Sequence, residues 1–127
     1  MILLALALAA AQTADCGNLD TQLEMNECAY KNFQAADAEL NVQWKRTLAY
    51  MRTLDRDTAD VPATGPGYAQ SLLDAQRAWL AFRDAHCLTV GYYARSGSME
   101  GMLYSECQEE LTRARTVQLA DLVHADQ

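Results

Sequence analysis

From Thr21 to about Leu54 the apolar residues keep to one helical stripe: Met25, Ala29, Phe33, Ala36, Leu40, Trp44, Leu48 and Met51, at steps of three and four. That spacing predicts a long amphipathic α-helix. Thr21 with Glu24 three residues on is a capping-box signature, a hydroxyl and a carboxylate placed to satisfy free amides of a first turn. A straight helix of this length would run about 50 Å, long for a small domain, so a break or an end is expected between Thr53 and Asp57. The stretch from Asp60 to Gly67 holds both prolines and two glycines. Proline cannot continue a helix and glycine turns at little cost, so this stretch reads as an interhelix connection.

Beyond it Tyr68, Leu72, Ala75, Trp79, Phe82 and His86 alternate steps of four and three. They predict a second helix that lies antiparallel to the first, with Trp79 and Phe82 in the core and His86 packed. Gln76, Leu80, Arg83 and Cys87 share an offset face of that helix, which places Arg83 near Cys87, in a structural role and paired with a carboxylate of helix one. After Cys87 the pattern fades through Gly91, Ser96, Gly97, Ser98 and Gly101, an irregular segment that still carries Met99, Met102 and Leu103. Ser105 with Gln108 is a second capping-box signature, and Leu111, Ala114 or Arg115, Gln118 or Leu119, and Leu122 trace a narrower stripe behind it. No useful run of period-two alternation occurs, so a sheet is not expected. The pattern predicts an all-α fold: a small helical bundle made of a long antiparallel hairpin and a C-terminal helix.

The chain start has another character. Met1 to Ala11 carry no side-chain charge, and the apolar run Ile2 to Ala11 is followed at once by Gln12, Thr13 and Asp15. Such a run spans about 15 Å as a helix, half a bilayer core, so residues 1–11 read as a signal peptide with Ala9 and Ala11 suited to cleavage, and 12–127 as the helical domain. The segment departs from the usual pattern in one respect, since no Lys or Arg precedes Lys31. Cys16 is preceded by Asp15 where lipid attachment needs a small residue, which argues against a lipoprotein.

Export changes the meaning of the four cysteines, Cys16, Cys28, Cys87 and Cys107. In an oxidising compartment they read as two disulfides, with three connectivities open. None of their spacings is CxxC and only His86 and His124 could complete a zinc site, so no metal is expected. The net charge is -7 in a chain of 127 residues, one domain's worth, and it disfavours nucleic acid or an anionic membrane surface as partner. No GxSxG, HExxH or phosphate-binding glycine loop occurs. His86 and Cys87 would point about 100° apart on a helix, and a bridge would consume the thiol. We therefore expect neither an enzyme nor a cofactor.

Four stretches together resemble the LprI-like lysozyme-inhibitor family of exported bacterial proteins: Cys16 with Thr21-Gln22-Leu23-Glu24-Met25-Asn26-Glu27-Cys28; Ala36-Asp37-Ala38-Glu39-Leu40-Asn41; Ala75 through Gln76, Trp79 and Arg83 to His86-Cys87; and Ser96-Gly97-Ser98 leading to Tyr104, Cys107, Leu111-Thr112 and Arg115. The resemblance covers nearly all of the chain after residue 11. It implies a helical fold, export to the periplasm or beyond, local cysteine pairing (Cys16 with Cys28, Cys87 with Cys107) and a family motif at Thr21, Gln76, Trp79 and Arg83. It also implies a protein partner, a lysozyme.

Host-defence lysozymes are generally cationic, so an acidic protein gains encounter rate from long-range attraction. Acids are dense early in the chain (Asp15, Asp20, Glu24, Glu27, Asp37, Glu39) and late (Glu100, Glu106, Glu109, Glu110). They would serve either as one binding face or, more blandly, as solvated helix surface and first-turn charge, with Glu24, Glu106 and Glu109 in predicted first turns. The Gly97–Met102 segment is the other candidate contact, a mobile tip unless Met99 and Met102 cap the core. The partner-binding candidates are Glu24, Glu27, Ser98, Met99, Glu100 and Glu106. The alternative role is an envelope structural or stress module with an endogenous protein partner.

Overall fold

A computed structural model describes residues 13–124. The signal peptide expected at residues 1–11 lies outside the described residues. Among those described the fold is all-helical: α1 Gln22–Asp57, α2 Tyr68–Gly91 and α3 Glu100–His124, with short 3-10 turns at Cys16–Asn18 and Tyr92–Ala94.

Helix α1 starts where its cap predicts. Thr21 is extended, and its hydroxyl accepts the Glu24 N–H at 3.1 Å. The Glu24 carboxylate accepts the Thr21 hydroxyl proton at 3.0 Å, where a full capping box would engage the Thr21 amide. The helix then runs unbroken for 36 residues, about 54 Å, and ends at Asp57, within the Thr53–Asp57 window expected for a break or an end. Asp55, two residues before that end, turns its carboxylate onto the start of α2 and accepts the Tyr68 and Ala69 amides at 2.7 and 3.0 Å. Gly67 makes room for it, because a Cβ there would lie 2.6 Å from Asp55 Oδ1.

Helix α2 returns antiparallel to α1, and α3 runs back parallel to α1 and antiparallel to α2. The cross-chain bonds show the register: Thr47 Oγ1 donates to the Leu119 carbonyl at 2.9 Å, Arg113 meets Glu39 at 3.0 Å and Arg115 meets Gln76 at 2.9 Å. The closest packing is between α1 and α3. Ala29 and Ala36 are fully buried in α1, and residues this small let helix axes approach.

The bundle has two halves of different make. Toward the α1–α2 connection lies the apolar core, Leu40, Met51, Leu72 and Leu119, with Trp44, Leu48, Tyr50, Leu54, Ala69 and Trp79 packed on it. In the other half the interior is held by disulfides Cys16–Cys28 and Cys87–Cys107 and by buried Asn32, Arg83, Ser105, Gln108 and Glu109. Each bridge is worth about 3 kcal/mol in the chain-entropy model, a large share of a small domain's stability of about 5–15 kcal/mol. No buried side-chain polar atom among the described residues lacks a partner, as a polar interior requires.

Two expectations need correction. The expected stripe of α2 holds at Leu72 and Trp79, which pack in the apolar core, but fails at Tyr68, Ala75, Phe82 and His86, which are exposed. The buried line of the helix is Leu72, Gln76, Arg83, Cys87 and Gly91. Phe82 is 55% exposed and stacks on exposed His86 with ring centroids 5.2 Å apart. The Cys87 bridge and the Arg83 contacts set the rotation of this helix against the hydrophobic pattern. Helix α3 begins at Glu100, so Ser105 and Gln108 are buried interior residues and their capping-box spacing is coincidental. What precedes α3 is a tight turn in which Ser96 takes the left-handed region at φ 65° and donates its N–H to Glu100 Oε2 at 3.0 Å.

Candidate functional site

Because α1 and α3 are parallel, their N-termini lie side by side at the disulfide-bearing end. Asn26 donates to the Ser98 carbonyl at 2.9 Å, and Gln22 reaches Met102 Sδ at 3.4 Å. Glu24, Glu27, Ser98, Met99 and Glu100 are thus brought to one end from opposite ends of the sequence. The Ser96–Glu100 turn is tied on both sides, by Asn26 and by the Gly97 N–H to the Ala94 carbonyl at 2.8 Å. Met99 is exposed on it. Glu106 lies more than a turn further along α3, outside that cluster. Its pKa is raised, first by partial burial and then by the Glu109 carboxylate.

Glu109 is a residue the pattern misjudged. Read as first-turn surface charge, it is only 9% exposed, accepting the Thr13 hydroxyl at 2.9 Å and Arg113 Nε at 2.9 Å. Asn32 escaped notice altogether. Its amide accepts the Ala14 N–H at 3.1 Å and donates to the Ala14 carbonyl at 2.9 Å, the two-point pairing a β-strand neighbour would make. Together with the Cys16–Cys28 bridge it fixes the N-terminal arm over α1. Beneath the arm is a cleft of about 330 Å³ lined by Ala14, Leu19, Glu24, Glu27, Cys28, Lys31 and Asn32. An Asn at a position that continues the apolar stripe on its flank was the available signal.

The motif residues Gln76, Trp79 and Arg83 form the support behind this end. The Arg83 guanidinium is sandwiched between the Phe33 and Trp79 rings, 5.1 and 5.2 Å from their centroids. It bonds Asp84 at 2.9 Å and Thr112 Oγ1 at 3.3 Å, and lies 3.7 Å from Asp37 of helix one. Gln108 bridges Asp84 and the Tyr104 hydroxyl at 3.0 and 3.2 Å. The Tyr104 pKa is raised, chiefly by burial, then by the Asp84 charge, against a lowering from Arg83.

The plane through the Glu39–Arg113 ion pair divides the charge. On the disulfide side, residues 13–38 and 81–112 carry ten acidic and three basic side chains; on the other, residues 39–80 and 113–124 carry six acidic and seven basic. The net negative charge therefore belongs to the stapled end. Exposed Leu19, Leu23, Leu88, Tyr92, Tyr93 and Met99 lie at the same end, so it offers apolar contact area inside an acidic field. Among the described residues no cluster of three or more His, Cys, Asp or Glu could hold a metal, and no helix is long and apolar enough to cross a membrane.

A sequence profile described as Lysozyme inhibitor LprI matches residues 13–119. A protein of Rhizobium meliloti (strain 1021), Uncharacterized protein R02472, is 42% identical over 111 residues, 87% of this chain and 80% of that protein. No solved structure matches. The profile spans both disulfides, the capped start of α1, the arginine sandwich of α2 and most of α3, and on that extent the chain belongs to the lysozyme inhibitor LprI family.

Proposed function

We propose that this protein is an exported, non-catalytic inhibitor that binds a cationic lysozyme-type glycosidase through its acidic, doubly stapled end. Family membership and two disulfides point to an extracytoplasmic protein. The finer placement, periplasmic or secreted after removal of residues 1–11, is part of the proposal. The observation that carries the choice of surface is the one-sided charge. An excess of seven acids at one end, set around exposed Leu23, Tyr93 and Met99, steers and orients a basic partner, while the apolar groups supply the area that charge alone does not. Glu24, Glu27, Ser98, Met99 and Glu100 belong to that contact; Glu106 borders it.

The test is lysozyme turnover of a cell-wall substrate with increasing oxidised protein, at low and high salt, beside an equally acidic control. Dose-dependent loss of activity that the control does not match, weakened as salt shortens the screening length to about 8 Å and below, is the expected result. Loss no greater than the control's refutes inhibition and leaves the envelope-module alternative, whose endogenous partner would then be sought by co-purification.

A further inference from the structure

A groove of about 380 Å³ opens between the last turns of α2 and the first turns of α3, lined by Leu88, Gly91, Glu100, Gly101 and Tyr104. Gly91 lets the helices close at its floor. A Cβ there would already stand 3.4 Å from the Glu100 carbonyl and 3.5 Å from Tyr104 Cβ. Leu88, 43% exposed, forms an aliphatic wall and Tyr104 an aromatic one. Glu100 is held in place by the Ser96 N–H on Oε2, and Asp84 lies beyond Tyr104 through Gln108.

An aliphatic wall, an aromatic wall and a positioned carboxylate match one ligand chemistry, an aliphatic stem ending in a cation. The stem of a lysine or arginine buries against Leu88 while its head reaches water and charge. The Tyr104 ring supports the cation and Glu100 receives a charge-assisted hydrogen bond. The groove lies in the acidic half, so the surrounding field has the complementary sign. The nearby arginines of the protein are engaged elsewhere: Arg95 packs over the Tyr92 ring at 4.9 Å, and Arg83 sits between Phe33 and Trp79.

We propose that this groove is the anchor pocket for a basic side chain of a protein partner. The proposal rests on the functional reading above in taking that partner to be a cationic protein. Two variants probe it. Glu100→Gln removes the charge while keeping an acceptor for Ser96, and Leu88→Lys, at an exposed position, places a competing cation of the protein's own at the groove.

The isotope-labelled, oxidised protein is titrated with acetyl-Gly-Arg-Gly-amide and with its Gln counterpart, and the amide shifts are read by NMR. The expected result is shifts concentrated at Leu88, Gly91, Glu100, Gly101 and Tyr104 with the arginine peptide only, lost in both variants. Shifts spread equally over Glu24, Glu27, Glu106 and Glu110, or unchanged by the variants, overturn the pocket. The same variants are then tested against lysozyme, where roughly tenfold weaker binding is expected, the scale of one charge-assisted hydrogen bond. If the wild type and both variants bind lysozyme equally, the groove is not the anchor and inhibition stands. If the wild type ignores lysozyme while the peptide still fills the groove, the pocket stands and the lysozyme reading falls.

Discussion

Replacing Arg83 by alanine tests whether the polar half of the bundle is held together as described. Arg83 is 7% exposed, so the change removes a buried stem and guanidinium together. The two ring contacts are worth about 0.5–1 kcal/mol each. The bond to Thr112, itself wholly buried, contributes about 1 kcal/mol and leaves that hydroxyl without its donor. Loss of one partner from a fully buried ion pair costs about 3–5 kcal/mol. Here Asp37 and Asp84 are half-exposed and return to water, which places the total near the lower end, about 3 kcal/mol.

At roughly 3–4 °C per kcal/mol for a domain of this size, the melting temperature of Arg83→Ala should fall by about 10 °C. Arg83→Met keeps an apolar stem but gives up the same guanidinium contacts, so it should recover only the part of the loss that comes from stem packing. Thermal unfolding of the oxidised protein followed by far-UV circular dichroism gives the melting temperatures of both variants, and urea unfolding gives the free-energy differences. If Arg83→Ala costs under about 1 kcal/mol, the range of ordinary surface changes, the guanidinium is a solvated charge and the sandwich contributes nothing. If Met and Ala are equally damaging, charge rather than packing carries the contact.

Asn32→Ala should free the arm at both Ala14 bonds, costing about 1–3 kcal/mol for the backbone groups left unpaired, with faster hydrogen exchange confined to residues 13–20. Gly67→Ala should displace Asp55 from the start of α2 and cost about 1–2 kcal/mol, as loss of a helix cap does; in combination with Asp55→Ala it should add little, and full additivity in a double-mutant cycle would refute the shared cause. Glu106 has a folded-state pKa above its unfolded value, so the folded state holds the proton more tightly and stability declines as pH rises through the folded pKa. Glu106→Gln should therefore stabilise at neutral pH and lose that advantage in acid, a trend that melting curves from pH 4 to 7 would expose or contradict. Replacing Cys16 and Cys28 together by serine should leave helix content unchanged while exposing the arm to protease, since that bridge ties the arm alone to α1.

The helical class, the cap at Thr21, the Pro/Gly connection and the length of α1 were legible because each depends on residues within a few positions of one another. A hydroxyl three residues before a carboxylate or a proline in a turn acts locally, whatever the rest of the chain does. The pairing of Arg83 with helix one was legible for a related reason, since a charged residue on a face shared with Cys87 has to find a carboxylate when buried.

The rotation of α2, the start of α3 and the standing of Glu109 depended on partners far away in sequence. A period of 3.6 does not distinguish Phe82 from Arg83 as the inward residue when a disulfide and two aromatic rings receive the arginine. Ser105 looks like a cap until Ser96 and Glu100 close a turn before it. Nothing near Glu109 in sequence reveals that Thr13 reaches it from 96 positions away. The sequence by itself determined which segments are helices and that cysteines staple them. Only the parallel packing of α1 and α3 decided that acids from both ends of the chain share one end of the bundle, because side-chain partnership across helices is a property of register, which local pattern does not carry.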